Sequence, residues 1–324
     1  MDKRRCLWIC ALLLMLFSCG CASEQIPEAP AAPMPGDMSG SRILQVFRIE
    51  GQNYYLKTDR ILYGEDGTEI LTLPTTVQVA WSEGLSAFTL MHDGTVLAVF
   101  LDGTSRELAG TAGFYPVANA GDLLLVRQEN NWQLLDLAAD TAAAFRYDPG
   151  AETVCGLGSD TVYFYRFDET SARTVVTAVC CTDGSAREVV NKALLTRPIA
   201  YSAVPRVEKG GSVWLHNYGN MALEEYAADG SGLRDSYSLQ IPAREMSKAR
   251  ISLSITAAGP VIALCDRTGV STVRVCSWQD GWNLLLEQDE VFAEYDYSVQ
   301  IAADDGGFVC SRLPGYEIFF GNSG

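Results

Sequence analysis

Between residues 85 and 108 the chain alternates apolar, β-prone runs with tight polar turns. The order is LSAFTLM, the turn His92-Asp93-Gly94, TVLAVFL, the turn Asp102-Gly103, and the more polar TSREL. Asp-Gly between two β-prone runs is a strong hairpin signal, because the favoured two-residue turns need φ > 0 at their centre. The pattern predicts three antiparallel strands, and residues 77–81 (VQVAW) supply a further strand on their N-terminal side.

Looser copies follow along the chain. Residues 43–49 form the first β-prone run, and turns recur at Asp66-Gly67, Asp183-Gly184, Asp229-Gly230 and Asp280-Gly281. The second strands of successive copies begin near residues 53, 86, 122, 161, 212, 260 and 307. Those intervals bracket the ~40–50-residue period of four-stranded propeller blades. No run of ten or more residues carries helix caps with a 3.6-residue period, and residues 244–250 offer two helical turns at most.

The repeat resembles the divergent β-propeller repeats of extracytoplasmic bacterial proteins. Gly210-Gly211-Ser212-Val213-Trp214-Leu215, leading to Glu225-Tyr226-Ala227-Ala228-Asp229-Gly230-Ser231-Gly232, carries the pattern best. The Trp-Asp dipeptide of WD repeats is absent. The segment 277–282 (SWQDGW) has the wrong spacing for the Asp-box of sialidases. The expected fold is all-β, a propeller of about seven four-stranded blades, with six or eight also compatible. Residues 43–49 fit either the inner strand of the first blade or a strand outside residues 316–320 that closes the ring.

The N-terminus adds an address. Lys3, Arg4 and Arg5 precede an apolar core of 12 residues, 6–17. That core is too short for a bilayer span, which takes about 20 residues. Ser18-Cys19-Gly20-Cys21 follows. Here the sequence resembles bacterial lipoprotein signal peptides, in which a Cys after small residues is lipidated. Two frames fit: Cys21 has small residues at all three preceding positions, and Cys19 has Leu16 at −3 but Phe17 at −2. Residues 22–40, with Pro27, Pro30, Pro33 and Pro35, read as a semi-extended tether. The expected organisation is a signal peptide at 1–21, a tether at 22–40 and a propeller domain at 41–324. The expected location is the outer face of the cell membrane, reached by a lipid anchor.

The net charge of −16 argues against nucleic acid, which needs a basic footprint. Of ten cysteines, Cys155, Cys180, Cys181, Cys265, Cys276 and Cys310 fall in the domain. They sit in apolar strand runs, which suits buried thiols better than a disulfide scaffold. No Cys-x₂-Cys pair accompanies the two histidines, so no metal is expected, and no cofactor-binding loop is present. His92 lies at a turn and His216 at a strand end, and neither belongs to a nucleophile motif. Acidic pairs such as Asp304-Asp305 read as solvated loop residues.

No catalytic residue is therefore assigned, and the expected role is a monomeric binding or scaffold module for a protein or glycan of the cell envelope. The alternatives are an enzyme acting on polysaccharide and a sensor or assembly factor. Propellers present ligands to the loops joining second to third strands and joining blades. By that resemblance the candidates are Asn130, Asn131 and Trp132; Asn217, Tyr218 and Asn220; Arg267 and Arg312; and Arg197, Tyr201 and Arg206 in the longest connection. Aromatics beside amides suit sugar or peptide surfaces, although Trp132 and Tyr218 equally suit packing between blades. Labelled palmitate is expected to enter the wild-type chain and to be lost in the Cys19→Ala, Cys21→Ala double variant; retained label contradicts the anchor.

Overall fold

A computed structural model describes residues 41–74, 87–92, 94–168, 170–193, 206–207, 211–217, 221–239, 249–266 and 269–322. Every regular element among them is a β-strand. The first blade is an antiparallel meander of β1 (Ile43–Ile49), β2 (Gln52–Lys57), β3 (Ile61–Gly64) and β4 (Glu69–Thr72). The second contains β5 (Ala87–His92), β6 (Thr95–Phe100) and β7 (Ser105–Glu107). Its expected inner strand at 77–81 lies outside the described residues.

The next three blades are complete. They are β8 (Tyr115–Ala120), β9 (Leu123–Gln128), β10 (Asn131–Asp136) and β11 (Thr141–Arg146); then β12 (Thr153–Leu157), β13 (Thr161–Asp168), β14 (Arg173–Cys180) and β15 (Ala186–Ala193); then β16 (Arg206–Val207), β17 (Ser212–Asn217), β18 (Ala222–Ala227) and β19 (Leu233–Ser238). The chain ends in β20 (Ala249–Thr256), β21 (Gly259–Asp266), β22 (Gly269–Trp278), β23 (Trp282–Asp304), β24 (Gly307–Gly315) and β25 (Phe319–Gly321).

The chain is an all-β propeller, and its strand ladders make six blades rather than the expected seven. The difference comes from β23, which pairs β22 through Trp278↔Trp282 and pairs β24 through Asp304↔Gly307. One uninterrupted strand thus serves two meanders, and β20–β25 form a single double-length unit. No turn residue breaks residues 282–304 into separate ladders. The helical candidate at 244–250 is not helical at its end, where Ala249 and Arg250 begin β20. Residues 43–49 are the inner strand of the first blade, paired from Ile43↔Lys57 to Ile49↔Gln52. A single bridge, Ile43↔Gly315, ties that strand to β24.

Burial explains why the strands read as they do. Middle strands are covered on both faces, with continuous apolar runs such as the buried LLLV of β9 and the VWL of the wholly buried β17, whose Ser212, His216 and Asn217 are buried polar groups. Outer strands are wet and polar, as in β7 and β19. Apolar clusters fill the spaces between neighbours: Trp132 and Phe145 meet Val162 and Phe164, and Val213 and Leu215 meet Val176 and Val190. Val261 and Val275 meet Ile301 and Phe308 within the last unit, while Ile43 and Val46 meet Val309 and Leu313 where the chain's ends join. Neighbouring blades approach closely at Gly156, where a Cβ would stand 2.3 Å from Val207 Cβ.

The inner strands have free edges, and side chains satisfy some of them. The Val46 N–H donates to Gln300 Oε1 at 3.0 Å. The Ile301 and Ala303 N–H groups donate to Ser252 Oγ at 3.2 Å and Ser254 Oγ at 3.0 Å, and Ser254 Oγ donates to the Ala303 carbonyl at 3.1 Å. Removing one such hydroxyl strands partly buried backbone groups, at a cost of about 1–3 kcal/mol. Ser254→Ala is therefore expected to lower the unfolding free energy by that amount, read as a lower urea midpoint at unchanged slope; an unmoved midpoint contradicts the role given to these bonds.

Candidate ligand-binding site

The outer half of the third blade carries a pocket of about 370 Å³. Strands β10 and β11 place its residues: Asn131 pairs with Arg146, and Gln133 with Ala144, so these four share one face at the ladder's exposed end. Phe114 contributes an apolar wall. Thr182 and Asp183 arrive from the turn after β14 in the neighbouring blade. That turn fits closely. Gly184 has φ +72°, and a Cβ there would stand 2.8 Å from the Arg146 carbonyl oxygen, so only glycine lets the turn approach β11. Hydrogen bonds from Ser185 hold the Asp183 carboxyl below the usual carboxylate range. The lining thus sets Asn131, Gln133 and Arg146 of one blade edge beside Thr182 and Asp183 of the next, with Phe114 as an apolar neighbour.

Trp132 lines the inner side of this pocket and is itself only 2% exposed. Its indole N–H donates to the Tyr147 carbonyl at 2.9 Å. Its ring lies parallel to Phe145 at 6.3 Å and edge-on to Phe164 at 5.3 Å. The Arg127 guanidinium sits 4.7 Å from the ring centroid. Trp132 therefore anchors the blade edge to its neighbour.

Among the other sequence candidates, Asn130 occupies the turn before β10, where its carbonyl accepts from the Tyr147 N–H at 3.1 Å. Arg206 is half-buried on β16. Asn217 is buried and donates to Glu224 Oε1 at 2.9 Å. Glu224 also accepts from the Tyr226 hydroxyl at 2.6 Å and lies 3.6 Å from Lys192 Nζ, so Asn217 belongs to an internal polar network. Arg312 is 2% exposed and donates to the Val291 carbonyl at 2.8 Å. The structure thus brings Asn131 and Trp132 together at the pocket and leaves Arg206, Asn217 and Arg312 apart from it. Arg197, Tyr201, Tyr218, Asn220, Arg267, Cys19 and Cys21 lie outside the described residues.

Gln133, Arg146, Thr182 and Asp183 were not singled out by sequence. The available signal was the Asp183-Gly184 turn after the long apolar β14, which marks a turn pressed against a neighbour. The six domain cysteines are free thiols, with Cys181, Cys265 and Cys310 buried. Burial pushes the Cys181 thiol up to about 12, far from nucleophilic poise. Among the described residues no cluster of three His, Cys, Asp or Glu side chains has metal-binding geometry.

His216 is buried, and desolvation lowers its pKa to about 4. The unfolded chain takes up this proton near pH 6.5 and the folded protein only near 4, so this contribution to stability is full above 6.5 and falls as pH drops between them. The loss is on the order of 3 kcal/mol. In His216→Gln the acid-induced fall in melting temperature between pH 6.5 and 4 is expected to be smaller than in wild type; parallel curves contradict the assignment.

No protein-family model matches the chain, and no curated protein matches it. Solved structures do. The β-propeller domain of Cps50 (Swd1) from Myceliophthora thermophila superposes with TM-score 0.52 at 11% identity, over 87% of this chain and 96% of that one. A streptogramin B lyase matches with TM-score 0.51 at 13% identity, over 88% and 94%. The extracellular domain of BT4673 from B. thetaiotaomicron matches with TM-score 0.50 at 11% identity, over 89% of this chain and 38% of that one. At these identities the shared property is the fold, and the chain is a divergent β-propeller.

Proposed function

We propose that the chain is a lipid-anchored, extracytoplasmic protein whose propeller is a non-catalytic binding module for a protein or glycan of the cell envelope. The observation that carries the reading is the pocket of Asn131, Gln133, Arg146, Thr182 and Asp183. Asn131, Gln133 and Arg146 stand on strands β10 and β11, Thr182 and Asp183 on the turn pressed against them, and rigid placement lowers the ordering cost of binding. The basic, apolar and Cys-ending N-terminus followed by a Pro-rich tether supports the address. The extracellular domain of BT4673 provides a precedent for this fold outside a cell. The likeness to the lyase extends to the fold alone.

The test is retention of soluble envelope glycans and proteins by the immobilised full chain. A bound component is expected to elute unaltered, and Gln133→Ala with Arg146→Ala is expected to weaken its retention at least fivefold without lowering the melting temperature. Chemical conversion of the bound component contradicts the non-catalytic reading, and undiminished retention in the double variant removes the pocket from it.

A further inference from the structure

A second surface lies between the outer edges of the fifth blade and the last unit. Four aromatic side chains run through it in contact. Trp214 packs on Tyr237 at 5.4 Å, Tyr237 meets Trp278 edge-on at 5.2 Å, and Trp278 meets Trp282 edge-on at 5.3 Å. The series begins inside, where Trp214 is 4% exposed, and ends on partly exposed rings that flank the turn Gln279-Asp280-Gly281. The Trp282 indole N–H donates to the Ser238 carbonyl at 2.8 Å, which locks that ring across the two blades. Asn283 holds the turn through the Gln279 and Gly281 carbonyls. On the same strand, Leu284 is 56% exposed.

Two ion pairs lie near these rings, and the exposed Asp280 sits in the turn between Trp278 and Trp282. Arg234 pairs with Glu225 at 3.7 Å, and Glu225 also accepts from Ser212 at 2.5 Å. Arg274 pairs with Glu287 at 2.7 Å. Burial, followed by the nearby Asp235 and Glu225 carboxylates, pushes the Tyr237 hydroxyl up to about 12 and keeps it neutral. A polyanionic partner gains little from such a surface. A protein interface of ordinary size needs about 800 Å² per side, whereas the large exposed apolar groups described on these two edges are Leu233, Leu284 and the outer parts of two indoles. A pyranose has the matching shape, an apolar C–H face for an aromatic ring and hydroxyls for the exposed amides of Gln279 and Asn283.

We infer that this wedge is a binding site for a neutral oligosaccharide, with the Trp282 and Trp278 indoles as its stacking surfaces. The inference rests on the reading of the chain as a binding module and selects glycan over protein as the ligand of this face. The N–H bond of Trp282 to Ser238 presets the ring, so ordering costs little on binding.

The test is titration of the full chain with cellohexaose, chitohexaose, laminarihexaose and maltohexaose, read by intrinsic tryptophan emission and by acrylamide quenching. At least one hexasaccharide is expected to bind saturably and to protect tryptophan from quenching. Trp282→Ala is expected to weaken it about tenfold or more, as for a central aromatic contact, with Trp282→Phe within threefold of wild type and the remote Tyr115→Ser unchanged. Should Trp282→Ala fail to fold, Asn283→Ala together with wild-type quenching protection carries the test. Binding by none of the four sugars overturns the inference, as does a peptide or protein that occupies this wedge instead. Sugar binding lost in Gln133→Ala, Arg146→Ala but intact in Trp282→Ala moves the ligand to the other pocket; it overturns this site and leaves the binding-module reading standing.

Discussion

Burial of both faces of the central strands, seen among the described residues in β9, β14 and β17, is the constraint on which this structure depends. A β-sheet can bury one face by folding over a core, but two faces require a neighbour on each side, and the arrangement then ends only by closing on itself. Sequence obeys this directly: β9, β14 and β17 carry apolar runs without alternation, as in LLLV, VV and VWL, whereas the outermost strands turn polar. Closure leaves the innermost backbone edges exposed to the channel. Gln300, Ser252 and Ser254 answer some of those groups where the chain's ends meet. Beside them Arg48 pairs with Asp304 at 2.6 Å and donates to Asn53 at 2.7 Å.

This construction explains where recognition chemistry can reside. The spaces between blades are occupied by side chains, and the polar groups inside them serve each other. Glu224, with Asn217, Tyr226 and Lys192, is such a set. Polar groups available to a ligand therefore collect at outer edges, where a turn of one blade rests on the last strand of its neighbour. The pocket at Arg146 and Asp183 and the aromatic wedge at Trp278 and Trp282 both arise at such junctions. A stable blade edge positions each, and neither depends on a long loop.

The fold was legible because its signals are local. Asp102-Gly103 and Asp183-Gly184 mark turns that the structure retains, with Gly103 at φ +83° and Gly184 at φ +72°. The number of blades was not legible, because it depends on whether β23 pairs continuously across residues 282–304, a tertiary matter without a turn residue to announce it. The candidate site was legible in part. Asn131 and the buried Trp132 line the pocket, whereas Asn217 and Arg312 are buried apart from it. An amide, an indole or a guanidinium at a strand end reads the same in sequence whether it meets solvent or a neighbouring sheet. Arg146 and Thr182 escaped notice because strands separated by a whole blade repeat bring them together.

The claim that closure makes one cooperative body is tested most directly by native-state hydrogen exchange on the full chain. Amides of β1 and β24, at the junction of the chain's ends, should exchange only through the same global opening that governs β9 and β14. The slopes of exchange free energy against denaturant should converge for all four strands. Early, denaturant-independent exchange of β1 and β24, with β9 and β14 still protected, would show that the ring opens at its seam and would contradict the account.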